Sequence, residues 1–293
     1  MFGLETAMII GIEGTGSQEW SDQDLRRSFV RRVLEQSNIQ PKSYFIGPNN
    51  PASDSVAIRS GAWWTLKYDW SDPVVLVGYS RGAAYCLDLC LRFNREFQGQ
   101  RQIYALVLFD AVRRDLACDL PFADDIPLPE CVRFCLHAYR DPRAGSRYFF
   151  SNVQPRIDRG QAHPPLIVKR MFRGSHGALG GTYWDAAKGE AGFQTSAANA
   201  AVWASTPQSK PFVNPLVHAT ASTLIGPYDR NLVVAPRVAI NNESQDRQAS
   251  QEVAQWVWPI LMSWGVLPRS AQPLNEAKTF NGSKTPGQAN PVQ

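Results

Sequence analysis

Val74-Val75-Leu76-Val77-Gly78-Tyr79-Ser80-Arg81-Gly82-Ala83-Ala84-Tyr85 is the stretch that decides the fold. A short run rich in β-branched Val comes first, the composition of a strand buried on both faces of a parallel sheet. Gly78-Tyr79-Ser80-Arg81-Gly82 follows and fits G-x-S-x-G. Ala83, Ala84, Cys86, Leu87 and Leu89 then begin a helical pattern with no Pro. A strand, a tight turn bearing Ser and a helix form the setting of a nucleophile elbow. Such a turn holds Ser80 in a strained backbone conformation, and side chains at positions 78 and 82 would collide with neighbouring backbone. The Ser80 hydroxyl then projects from the carboxyl end of the sheet, at a helix start whose dipole favours a developing oxyanion. The plainer alternative is a strand-to-helix turn with a Ser cap.

The 293 residues suffice for one large α/β domain or two small ones, and 44% hydrophobic against 19% charged residues supply a sizeable core. A net charge of +4 from 30 basic and 26 acidic side chains is too mild for a nucleic-acid binder. The basic residues are scattered except for Arg26, Arg27, Arg31 and Arg32, which read as the solvated face of a helix, with contact to anionic lipid headgroups as the alternative. Five cysteines, at 86, 90, 118, 131 and 135, form no C-x-x-C pair, so a zinc site is not expected. Cys86 with Cys90, and Cys131 with Cys135, read as small hydrophobes of a protein folded in a reducing compartment. The opening Met1-Phe2-Gly3-Leu4-Glu5 is not a Sec leader, and no apolar run is long enough to span a membrane. The expected location is the cytoplasm, or export by a route other than Sec.

Met8 to Ile12 reads as a buried strand, followed by the turn Glu13-Gly14-Thr15-Gly16-Ser17. That turn fits neither G-x-G-x-x-G nor G-x-x-x-x-G-K-[ST], so it is not read as a phosphate loop. It suits a loop that lends a backbone N–H to an oxyanion hole, with Gly14 allowing close approach. Ser21 to Ser37 reads as one helix, capped by Ser21 and stapled by Trp20 and Leu25. Tyr44-Phe45-Ile46 reads as a short strand and 53–68 as a helix. The helix after Ser80 runs to Phe97.

Further strands are expected at Ile103–Phe109, ending at Asp110; at Val132–Ala138, ending near Asp141; and at Leu166–Phe172. Asp115, Asp119, Asp124 and Asp125 read as solvated acids, since their spacing matches no calcium loop. Residues 182–248 read as short helices and loops covering the sheet. Gln251 to Trp264 reads as a closing helix. Residues 269–293 read as a disordered polar tail, leaving residues 1–268 as a single domain.

Alternating strands and helices argue for a mostly parallel central sheet with helices on both faces, and ligands bind at the carboxyl ends of such strands. Ser80, then Asp110 or Asp141, then His176 fall at those ends. Ser, acid, His is the chain order of the α/β-hydrolase fold. A hydroxyl is a poor nucleophile until an imidazole accepts its proton, and a carboxylate fixes the imidazole tautomer. Of four histidines, His137 lies mid-strand and reads as structural. His163 precedes Pro164-Pro165 and reads as exposed. His218 is the second choice of base. His176 alone follows the last strand, in a Gly-rich loop.

Gly78-Tyr79-Ser80-Arg81-Gly82-Ala83 resembles the Gly-aromatic-Ser-Arg-Gly-Ala elbow of the bacterial phospholipase effectors of type VI secretion and their uncharacterised α/β-hydrolase relatives. Glu13-Gly14-Thr15 stands where that family has Asp-Gly-Thr. Asp110-Ala111-Val112 is similar to its Asp-Thr-Val. His176-Gly177-Ala178-Leu179-Gly180-Gly181 is similar to its His-x-Asp-Val-Gly-Gly, with Ala178 in place of the acid. The resemblance covers about residues 8–185. It implies an α/β-hydrolase fold, lipid ester hydrolysis, and Ser80, Asp110 and His176 as the catalytic triad.

The expectation is therefore a serine hydrolase of carboxylic esters, lipid or phospholipid among them. Backbone N–H groups of Gly14 and Arg81 would form the oxyanion hole, with no metal or organic cofactor. The expected partners are an ester substrate and a membrane surface touched peripherally, not nucleic acid. A secretion or immunity partner is not specified by these residues. A non-catalytic binding protein on the same scaffold and an acyltransferase are the alternatives.

Overall fold

A computed structural model describes residues 4, 6–15, 22–48, 53–69, 71–112, 125–141, 153–183, 243–273 and 283–284. In chain order the elements are β1 (Met8–Ile12), α1 (Asp22–Arg27), α2 (Phe29–Gln36), β2 (Lys42–Phe45), α3 (Ser53–Tyr68), β3 (Val74–Tyr79) and α4 (Arg81–Phe97). Then come β4 (Ile103–Phe109), β5 (Asp125–Pro127), β6 (Val132–Arg140), β7 (Gln154–Arg156), β8 (Leu166–Phe172), α5 (His176–Leu179), α6 (Glu243–Ser263) and β9 (Ser283–Lys284). The protein is α/β. Its main sheet has the order β8-β6-β4-β3-β1-β2-β9, with every pairing parallel. β5 and β7 form a separate parallel pair that the sequence reading did not foresee.

β3 occupies the centre of the sheet, and its side chains are buried on both faces. Val74 and Leu76 point into a core with α3 and α4, including Trp63, Tyr85 and Phe93. Val75, Val77 and Tyr79 point into a second core with α2 and α6, including Phe29, Trp258 and Leu261. Period-two alternation between two apolar layers is why the strand reads as an unbroken hydrophobic run. Each large side chain so buried contributes about 1.5–3 kcal/mol.

After β1 the chain adds β2 on one side, then places β3 on the other side of β1 and builds outward through β4, β6 and β8. The reversal point lies between β1 and β3, where doubly wound sheets open a crevice at their carboxyl ends. Ile12 pairs with Gly78 and Tyr79 with Phe109. Gly14, Ser80 and Asp110 therefore emerge side by side from three adjacent strands.

Several expectations need correction. The single helix of residues 21–37 is two helices, broken at Ser28, whose hydroxyl turns inward to the Glu13 carboxyl. Arg27, Arg31 and Arg32 do not form a solvated face; each is only 6% exposed. Arg27 stacks 4.9 Å from the centre of the Tyr183 ring and Arg32 4.9 Å from that of Trp258, while Arg31 pairs with Glu35 at 3.2 Å. Aromatic faces and buried aliphatic stems explain how these charges are accommodated. The closing helix begins at Glu243 rather than Gln251. Within the expected polar tail, Ala271 packs in the core beside Leu267, and β9 pairs with β2.

Cys86, Cys90, Cys131 and Cys135 are free thiols of the core. Burial pushes Cys131 up to about 12 and raises the other three as well. Cys118, Trp20, Ser21, His218, the acids at 115, 119 and 124, and positions 184–242 lie outside the described residues. Among the described residues, no helix is long and apolar enough to cross a membrane.

Candidate active site

Ser80 connects β3 to α4 at φ 56°, ψ −122°, a region that non-glycine residues rarely occupy. Strain of this kind costs on the order of 1–3 kcal/mol and persists where surrounding bonds enforce it. Here the Ser80 N–H donates to the Phe109 carbonyl at 2.9 Å, and the Ser80 carbonyl accepts from Val112 N–H at 3.1 Å. The neighbouring glycines permit the bend. A Cβ at Gly82 would stand 2.2 Å from the Ile12 carbonyl oxygen, and one at Gly78 would stand 2.6 Å from the Ala83 Cα.

The structure brings His176 to Ser80 across 96 positions of sequence: the ring Nε2 lies 2.7 Å from Ser80 Oγ. The other ring nitrogen, Nδ1, lies 2.5 Å from Asp110 Oδ2. Asp110 is fully buried. Burial pushes its carboxyl up, but the Arg140 guanidinium, then the hydrogen bond and charge of His176, outweigh burial and hold it below the usual range. An ionised carboxylate only accepts, so Nδ1 carries the proton and Nε2 is left to accept from the Ser80 hydroxyl. Asp110 itself sits at φ 42°. Its N–H donates to the Ala138 carbonyl at 2.7 Å, its Oδ1 accepts from Arg140 N–H at 3.2 Å, and Arg140 Nε lies 3.4 Å from Oδ2.

Gly14 closes the third side. A Cβ there would stand 2.8 Å from the Ser80 Cβ, so the backbone of the β1 turn lies directly against the serine. The Arg81 N–H opens α4, where the first N–H groups of a helix have no intrahelical acceptor. The two residues expected to supply oxyanion donors, Gly14 and Arg81, therefore flank Ser80, and the Gly14 N–H also acts on the Glu13 carboxyl.

Four supporting residues are not read from the sequence as part of this site, although His137 reads as structural. His137 Nε2 accepts from Ala111 N–H at 3.3 Å, fixing the turn after Asp110, and burial lowers its pKa to about 4, so it stays neutral. Tyr79 donates its hydroxyl to the His176 carbonyl at 3.0 Å and stacks on its ring at 4.9 Å. Arg140 is recognisable only once β6 is known to lie beside β4. Asp246 of α6 accepts from both Ser175 N–H (2.8 Å) and Ser175 Oγ (2.7 Å), and Ser175 caps the short helix that His176 opens. His176 thus lies at a helix start and not in an extended loop. One signal for Asp246 existed: it falls on the helical repeat of Ala249, Val253, Val257 and Leu261, the buried face of α6.

The other candidates lie elsewhere. Asp141 is buried at the end of β6, its N–H on the Phe172 carbonyl, while the carboxylate on His176 is that of Asp110. His163 is exposed. Among the described residues, no group of three His, Cys, Asp or Glu side chains is placed to hold a metal ion. A depression of about 740 Å³ lies at the opposite end of the sheet, between the end of α4 and the turn before β6, and is lined by none of the Ser80 group.

The fold and this group define the chain as a parallel-sheet α/β protein with a buried Ser-His-Asp line at its strand ends. No family model matches the chain, and no curated protein matches it either.

Proposed function

We propose that this protein is a serine ester hydrolase with an α/β-hydrolase scaffold. The observation that carries the reading is the continuous line Ser80 Oγ, His176 Nε2, His176 Nδ1, Asp110 Oδ2, with links of 2.7 Å and 2.5 Å. Ser80 Oγ attacks the acyl carbon as its proton passes to His176 Nε2. The carbonyl oxygen takes up negative charge facing the Gly14 and Arg81 N–H groups. The imidazolium, stabilised by Asp110, returns the proton to the departing alcohol, leaving an acyl group on Ser80. Water, deprotonated by His176, then releases the acid and restores the hydroxyl. The motif resemblance points to lipid or phospholipid acyl esters as the substrate class.

A fluorophosphonate probe tests the reading. Labelling of Ser80 in the wild-type protein, its loss in Ser80→Ala, and hydrolysis of p-nitrophenyl esters by the wild type are the expected results. A folded wild-type protein that neither reacts nor hydrolyses would overturn it. Methanolysis products in mixed solvent separate transfer to alcohols from hydrolysis.

A further inference from the structure

Glu13 follows β1 directly, precedes Gly14, and is fully buried. Its Oε1 accepts from the Ser28 hydroxyl at 2.5 Å and from the Tyr44 hydroxyl at 2.8 Å. Its Oε2 is buried without a hydrogen-bond partner. The Glu13 N–H is tied to the Phe45 carbonyl at 2.9 Å. One carboxyl therefore joins the Gly14 turn, β2 and the α1–α2 break. From that break the connection continues to the His176 segment, because Phe29 N–H donates to the Gly180 carbonyl at 2.9 Å. Nothing in the triad chemistry uses this group, yet an acid is an expensive residue to bury with one oxygen unsatisfied.

We infer that Glu13 is a positioning residue of the hydrolytic site, and that its proton is what leaves the Gly14 N–H to the substrate oxyanion. The inference rests on the function proposed above. Neutral Glu13 braces the turn through Ser28 and Tyr44. Ionised Glu13 attracts the adjacent Gly14 N–H and sets a full negative charge near the place where a second one develops during attack. Like charges in a low-dielectric site oppose each other strongly. The charged and titratable groups on the surrounding elements include Arg26 and Arg27 on α1, Arg31, Arg32 and Glu35 on α2, Lys42 and Tyr44 on β2, Arg81 at the head of α4, and His176; of these, Tyr44 and Arg31 act on the Glu13 carboxyl. Burial raises the Glu13 carboxyl to about 7, against the opposing pull of Ser28, Tyr44, Arg31 and the Gly14 N–H. The change of charge thus falls in the neutral range.

The test is the pH profile of kcat/KM for p-nitrophenyl butyrate, measured on the full chain together with the rate of Ser80 labelling. The wild type should lose activity above pH 7, by about tenfold per unit. Glu13→Gln, a neutral isostere, should hold its plateau past that point. Ser28→Ala and Tyr44→Phe each remove a donor to the ionised form, so the falling limb should move to higher pH by about one unit. These two variants decide the matter even if Glu13→Gln fails to fold. An unaltered limb in the variants, with Ser80 still acylated, overturns this inference alone. Absence of Ser80 acylation in the wild type at every pH overturns the hydrolase reading and takes this inference with it.

Discussion

Ser175 and Asp246, 71 residues apart, are joined twice, by the Ser175 N–H at 2.8 Å and by its hydroxyl at 2.7 Å, and both bonds are buried. This pair holds the segment that carries His176 onto α6. Asp246→Asn keeps an acceptor for the N–H but places an amide NH₂, a donor, where the carboxylate oxygen accepted from the hydroxyl, so the Ser175 O–H loses its charged acceptor. Loss of one bond to a charged group costs about 1.5–3 kcal/mol. A misplacement of about 1 Å at a reacting group costs on the order of 10²-fold. The expected result is a lower Tm, a kcat reduced about 10–100-fold, and a KM within about twofold of wild type. An unchanged kcat in a folded variant would remove Asp246 from the supporting structure.

Ser80→Gly and Ser80→Ala should separate strain from chemistry. Under the proposed function both lack the nucleophile, so both should lose esterolysis by roughly 10⁵–10⁶-fold. Ala at φ 56° keeps the strain of the bend, whereas Gly adopts that conformation freely. Ser80→Gly should therefore be more stable than Ser80→Ala, by about 1 kcal/mol in urea unfolding. Equal stability would mean that the elbow stores no strain at this residue.

How legible was this arrangement? β3 and β4 occupy the segments their composition marks, because strands buried between two layers read as apolar runs ended by Gly, Asp or Ser; β8 also lies where it was expected, although it is a largely exposed edge strand. The elbow was legible for a local reason: its turn, strand and helix are contiguous. Asp110 and Asp141 could not be separated on residue pattern alone, since the choice depends on β4 lying next to β3 and β6 lying one place further out. The break at Ser28 was invisible because its cause, the Glu13 carboxyl, is 15 residues away. The burial of Arg27 and Arg32 was invisible for the same reason: the rings that cover them come from Tyr183 and Trp258. Periodicity reports which face of a helix is apolar, not whether its charged face meets water or an aromatic ring.

Under the proposed mechanism, Gly14→Ala should disturb the oxyanion site without replacing any triad side chain. The added methyl would stand 2.8 Å from the Ser80 Cβ and 2.9 Å from the Tyr79 ring, so the turn must move away. If the Gly14 N–H stabilises the oxyanion, kcat should fall about 10²–10³-fold, the usual effect of losing one such donor. Retained activity in this variant would assign the donor to another backbone group.

The last prediction concerns two buried groups whose effects on stability oppose each other. His137 drops from 6.5 to about 4 on burial, so between those values the unfolded chain binds a proton that the folded chain refuses. Its contribution is complete above about pH 6.5 and is lost as pH falls toward 4. Glu13 rises from 4.5 to about 7, so the folded chain keeps a proton that the unfolded chain releases. Its contribution is complete below about pH 4.5 and is lost as pH rises through 7. Each shift corresponds to about 3 kcal/mol over its window. Between pH 4.5 and 6.5 the two slopes nearly cancel, which leaves the wild type flat with respect to these groups. Single variants should expose the slopes. Relative to wild type, Glu13→Gln should gain stability as pH rises across that interval, since only the His137 slope remains. His137→Gln, whose amide oxygen still accepts from Ala111 N–H, should lose stability over the same interval. Urea midpoints at pH 4.5, 5.5 and 6.5 decide the point, and parallel pH dependences in the two variants would contradict it.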